Sequence, residues 1–178
     1  MMDPRAPRLA LLCALGMLGL ATLAQAAETL RENELKAAFV FNFIQFTEWP
    51  PKVMETAGTL TICARNGGPV AKELAGVAGR IVNRKPLALV RLPPESVQGC
   101  HVVLVDTGDA QWVAQMGAEL ERAPVLLVAD DNNGDIPSAM IGMAMVGRKV
   151  VFDVDAGRAR RVGLGISSRV LQLARTVR

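Results

Sequence analysis

The chain has 178 residues, 51% of them apolar, with 20 Lys and Arg against 17 Asp and Glu, one His, three Cys and no Tyr. A net charge of +3 beside that apolar content excludes a disordered tail, and the length suits one core rather than two. Only one stretch is apolar enough to enter a bilayer, which excludes a multispanning membrane protein.

That stretch opens the chain. Arg5 and Arg8 form a charged n-region, Leu9 to Leu23 an apolar run, and Ala24-Gln25-Ala26 the small residues that signal peptidase reads. Residues 1–26 are therefore expected to be a cleaved secretory signal, and residues 27–178 the exported α/β domain. The rival reading, an uncleaved anchor helix, needs a longer apolar run than this one. Cys13 follows Leu11-Leu12 rather than a small residue, so it does not read as a lipid-anchored cysteine. Cleavage removes Asp3, Arg5 and Arg8 and leaves a net charge of +2. It also removes Cys13, so the exported chain keeps one pair, Cys63 and Cys100. In an oxidising compartment that pair reads as a disulfide. A loop of this length gives about 4 kcal/mol of stabilisation in the chain-entropy model. A redox enzyme would want a C-x-x-C pair, and the sequence has none.

The spacing predicts a first helix from about Leu30 to Phe46, with Leu35, Phe39, Phe43 and Phe46 along one face. Phe41 points roughly opposite Phe39, so this helix is apolar on more than one side. It must be covered twice within the monomer, or part of it must meet another chain. Trp49 follows, and Pro50-Pro51 stops the helix. Alternating units come next. Thr59 to Ala64 is a short strand, Gly67-Gly68-Pro69 opens a helix to about Val77, and Leu87 to Leu92 is a second strand. Cys100 to Asp106 reads as a strand buried on both faces, Ala110 to Arg122 as a helix, and Pro124 to Ala129 as another buried strand. Ala139 to Val146 and Val150 to Val154 form a hairpin through Gly147-Arg148, a pair suited to a type II′ turn. A helix from about Ala156 and a last helix capped by Ser167 or Ser168 finish the chain. The rhythm predicts an α/β fold: a three-layer α/β/α sandwich on a mixed, largely parallel sheet, with a C-terminal hairpin plus helix.

Charge is unevenly spread. From Arg148 to Arg178 there are eight basic and two acidic residues, whereas 27–147 carries ten basic and fourteen acidic. Such a stretch is either a solvated surface or a basic face for an acidic partner or anionic lipid headgroups. Export argues against nucleic acid as the partner.

Catalytic constellations are missing: no G-x-G-x-x-G after a strand, no Walker A sequence, no G-x-S-x-G elbow. The single His, His101, adjoins Cys100, but neighbours on a strand face opposite ways and cannot form a Cys-His pair. The Asp130-Asp131-Asn132-Asn133-Gly134-Asp135 loop fails as an EF-hand, with Ile136 where the sharp turn wants Gly and Gly142 where the bidentate Glu belongs. Met140, Met143 and Met145 offer too few convergent thioethers for copper. The residues predict no catalytic group, no cofactor and no metal.

The ordered blocks carry a resemblance. They are Phe39-Val40-Phe41-Asn42-Phe43 with Phe46 and Trp49-Pro50; Leu60-Thr61-Ile62-Cys63; Val82-Asn83-Arg84-Lys85-Pro86-Leu87; Gly99-Cys100-His101-Val102-Val103; Pro124-Val125-Leu126; Val151-Phe152-Asp153-Val154-Asp155; and Gly163-Leu164-Gly165-Ile166-Ser167-Ser168-Arg169-Val170-Leu171. Together they resemble the YfiR-type periplasmic protein family over nearly the whole exported chain. The resemblance implies a non-catalytic α/β sandwich that represses an inner-membrane diguanylate cyclase by binding its periplasmic sensor domain, so lowering cyclic-di-GMP signalling and biofilm formation. It also implies sequestration by an outer-membrane lipoprotein. Cys63 and Cys100 match the family's disulfide positions. A second Cys pair that some members carry near Met140 to Gly142 is missing, and the family's Phe-Glu-x-Asn reads Phe152-Asp153-Val154-Asp155. Phe41, with Trp49 nearby, is expected to serve a partner interface or a homodimer. A periplasmic small-molecule sensor, using the crevice at the carboxyl ends of the strands, is the alternative.

Overall fold

The computed structural model describes residues 28–65, 67–91, 95–131, 134 and 136–178; the expected signal segment lies outside them. A helix over 28–45 (α1) leads into β1 (Thr47–Glu48), α2 (Pro51–Thr56) and β2 (Leu60–Ala64). Then come α3 (Pro69–Leu74), β3 (Ile81–Val82), β4 (Lys85–Arg91) and β5 (Val102–Asp106). The third stretch holds α4 (Ala110–Gln115), α5 (Gly117–Leu120), β6 (Leu126–Asp130), β7 (Ile141–Val146) and β8 (Lys149–Val154). α6 (Ala156–Arg161), β9 (Gly165–Ile166), α7 (Ser168–Leu173) and β10 (Thr176–Val177) end the chain.

Eight strands form one sheet in the order β10-β8-β7-β6-β5-β2-β4-β3. The middle five, β7 to β4, run parallel; β8 is antiparallel to β7, β10 parallel to β8, and β3 antiparallel to β4. β1 and β9 make a separate antiparallel pair. The α/β class and the largely parallel sheet agree with the sequence reading.

Alternation along the central strands sorts the core into two layers. Leu60, Ile62, Val102, Leu104, Leu126, Val128, Ile141 and Phe152 pack beneath α1, α3, α6 and α7. Cys63, Val103, Val105, Leu127 and Ala129 face Trp112 and Val113 of α4 and Leu120 of α5. The helix expected over 110–122 is two short ones. They break at Met116 (φ −85°, ψ 1°), next to Gly117, a poor helix former.

The turn after β3 takes only two residues. Asn83 and Arg84 both lie at positive φ (50° and 66°), and β4 begins at Lys85. That is the two-residue geometry whose twist suits an antiparallel hairpin. Gly147 supplies the positive φ (61°) of the β7–β8 turn, as its position before Arg148 predicts.

Candidate binding surface

α1 sets up the surface. Phe39 and Phe43, one turn apart, meet Phe152 of β8 with ring centroids 5.8 and 4.8 Å away, and Val40 and Ile44 are fully buried beside them. This is the core side of the helix. Phe41 lies elsewhere: it is half-buried, and the Arg80 guanidinium sits 5.0 Å from its ring centroid. The stacking covers one side of the ring with a cation. The next residue, Ile81, is 66% exposed on the outermost strand β3. Phe41, Arg80 and Ile81 thus form an amphipathic patch where α1 meets the sheet edge.

Trp49 takes a different place from Phe41. It is buried, and its indole N–H donates to the His101 carbonyl at 3.3 Å. Its neighbour Thr47 is also buried, its hydroxyl donating to the Phe43 carbonyl at 2.7 Å, and the Asn83 side-chain amide donates to the Thr47 carbonyl at 3.3 Å. Trp49 fixes the exit of α1 from inside the core rather than from the surface.

Cys63 and Cys100 are bonded, with Cα atoms 5.7 Å apart, and tie β2 to the segment entering β5. Both are buried in the layer under α4 and α5. The adjacent His101 is buried too; its Nδ1 accepts from the Thr61 N–H at 3.1 Å, and burial lowers its pKa below the usual imidazole value. The sulfur is spent in the disulfide and Nδ1 in a backbone bond.

The crevice at the carboxyl ends of the parallel strands is filled by the chain's own ions. The chain lays β4 on one side of β2, then crosses back to lay β5 on the other, so the loops after β2 and β5 diverge there. Arg65 reaches Asp109 at 2.7 Å and lies 5.1 Å from the Trp112 ring. Burial holds the Asp109 carboxyl above its ordinary value, against the Asp106 backbone N–H and the Arg65 charge, which pull it down. From above, Lys36 of α1 sits 2.6 Å from Glu32 and 2.7 Å from Asp130, and only 2% of the residue is exposed. Burial alone would lower the Lys36 pKa; its hydrogen bonds to Asp130 and Glu32, with their charges, outweigh that and raise it. About 20 Å³ of cavity remains among Arg65, Leu104, Asp106 and Asp130, room for one water rather than a metabolite.

Sequence reasoning missed Lys36. Its signal was present: it stands four residues before Val40 and seven before Phe43, on the core face of α1, with Glu32 one turn earlier.

The remaining candidates have structural work. The Asp131 carboxylate accepts from Gly134 N–H at 3.0 Å and Ile136 N–H at 2.6 Å, which shapes its loop. Met140 and Met143 are buried in the main core. Among the described residues no cluster of three or more His, Cys, Asp or Glu could hold a metal ion, and no helix is long and apolar enough to cross a membrane.

Residues 33–175 match the model of the YfiR/HmsC-like family (DUF4154). No curated protein matches the chain. The family match supports, in general terms, a periplasmic regulator of a diguanylate cyclase rather than an enzyme. The match spans most of the sequence and takes in Cys63, Cys100, α1 from residue 33 onward and the C-terminal hairpin: the chain belongs to the YfiR/HmsC-like family.

Proposed function

We propose that the exported chain, freed of residues 1–26, represses an inner-membrane diguanylate cyclase by gripping its periplasmic sensor domain through the Phe41 face. What supports this reading is the placement of Phe41. A half-buried aromatic ring, held in place by Arg80 beside the exposed Ile81, has the composition of an interface anchor: one face set in the protein, one apolar edge outward. Trp49 contributes by fixing the backbone after α1. A second copy of the chain, or an outer-membrane lipoprotein, would compete for the same face.

Tagged protein isolated with its own membrane fraction is expected to bring the cyclase along, and Ile81→Asp and Phe41→Asp to lose it. Ile81 is exposed enough for its substitution to leave the fold intact, so loss of capture with an unchanged melting curve reports on the interface. Capture unaffected by both substitutions would move the interface elsewhere.

One observation favours the small-molecule reading at a different place. A groove of about 440 Å³ lies over the sheet where no helix of the α4–α5 layer covers it, with Gly142 and Ala144 as floor and Asp153, Arg175 and Arg178 at its side. Its volume is within the range of ligand sites. A metabolite retained by the purified protein, with no cyclase recovered, would favour this second reading.

A further inference from the structure

We propose that the outer surface of α6 and α7 is a docking face for an anionic phospholipid bilayer. The proposal concerns where the protein sits, and does not rest on which membrane enzyme it regulates.

The local charges are left open by the fold. This stretch has two carboxylates, and both are committed: Asp153 binds the Arg175 guanidinium, and Asp155 accepts from the Arg158 N–H at 2.7 Å at the start of α6. Arg158 itself turns to Asp155 and Glu121. Arg160, Arg161 and Arg169 are exposed and have no carboxylate within ion-pair distance among the described residues, although the Arg169 guanidinium lies 5.8 Å from the Phe46 ring centroid, which leaves its charge unneutralised. Concentrated positive charge on two consecutive short helices makes a field that attracts a polyanion.

The apolar component sets the kind of polyanion. Leu173 is 74% exposed, one turn beyond Arg169 on α7, and Val177 on the edge strand β10 is 47% exposed. Residues four apart on a helix share a face, so Arg169 and Leu173 are presented together. A folded acidic protein would match such arginines with fixed partners. A headgroup layer neutralises unpaired arginines collectively and takes a protruding leucine at the acyl boundary. Cations beside protruding apolar side chains fit the second.

The test is co-sedimentation of the chain lacking its leader with phosphatidylcholine vesicles, with and without phosphatidylglycerol, across a salt series. Binding is expected only to the phosphatidylglycerol vesicles and is expected to fall steeply with salt. Each arginine near an anionic surface contributes about a fivefold gain in partitioning, so the double substitution Arg160→Glu with Arg161→Glu should weaken binding more than about tenfold. Leu173→Asp should weaken binding while its salt dependence persists. Melting curves of the variants check folding, and the salt series on the unaltered chain stands without them. No binding to phosphatidylglycerol vesicles at low salt, or binding indifferent to the double substitution, would overturn the proposal. So would equal binding to polyglutamate that ignores Leu173→Asp, which would assign the face to an acidic protein.

Discussion

Lys36 spans the gap between α1 and the end of β6: its ammonium lies 2.7 Å from Asp130 and 2.6 Å from Glu32 on its own helix. A lysine this deeply buried is sustained only by close counter-charges. The pair fastens the half of α1 that carries few large apolar side chains, since Phe39 and Phe43 hold the other half. Through Asp130, Lys36 thus ties α1 to the end of β6.

Lys36→Met should lower stability by about 2–4 kcal/mol, because it removes one member of a buried pair and leaves Asp130 without its counter-charge. For a domain of this size that is a fall in Tm of about 5–15 °C, read by circular dichroism. The carboxylates are partly exposed and can recover some hydration, which places the expected cost toward the lower end. An unchanged Tm would show that the pair contributes nothing beyond what water offers.

Much of the fold was legible because its central strands are near-continuous apolar runs and its turns carry Gly and Pro. The two-residue strands β1, β3, β9 and β10 were not, since nothing in so short a segment has a period; they exist through partners distant in sequence. The disulfide was legible from counting, since two cysteines remain once Cys13 is set aside with the expected signal segment. Phe41 stood out by lying off the face shared by Phe39 and Phe43. Trp49 beside Pro50-Pro51 looked equally like a surface anchor, and only the His101 carbonyl waiting for its indole N–H reveals why it is inside. Lys36 was not legible, because a lysine in an apolar stripe reads as a solvated charge until the fold brings Asp130 to it.

Stability should fall as pH drops below about 6.5. Burial depresses the folded-state pKa of His101, so the unfolded chain binds the proton more readily. The stabilising contribution is complete above the unfolded value of 6.5 and is lost as pH falls from there through the lower folded value. Protonation also sets a donor against the Thr61 N–H that Nδ1 now accepts. Tm measured from neutral to mildly acidic pH should decline over this window, and His101→Gln should flatten the decline. An equal slope in the variant would assign the effect to carboxylates.

The disulfide should be closed and inaccessible in the native protein. Thiol titration of the unreduced chain without residues 1–26 is expected to find no free thiol, and reduction to require denaturant, since Cys63 and Cys100 are buried. Replacing both by serine should cost about 4 kcal/mol, or about 10 °C in Tm. A titratable thiol in the folded, unreduced protein would contradict the bonded pair.

The β3–β4 turn offers a stabilising change. Arg84 holds φ at 66° in the second position of a two-residue hairpin turn, a conformation costing a side chain about 1 kcal/mol that glycine does not incur. Asn83 before it tolerates the left-handed region and already ties the turn to the Thr47 carbonyl. Arg84→Gly therefore completes the Asn-Gly pair this turn type favours, and should raise Tm by about 1–2 °C once the added freedom of the unfolded chain is subtracted. The reciprocal change, Asn83→Val, puts a β-branched residue at positive φ and removes the bond to Thr47. It should lower Tm by more than the glycine raises it, and it should loosen the backbone after α1 that carries Trp49. A lower Tm for Arg84→Gly would mean that the arginine side chain supports the turn by more than its backbone strain costs.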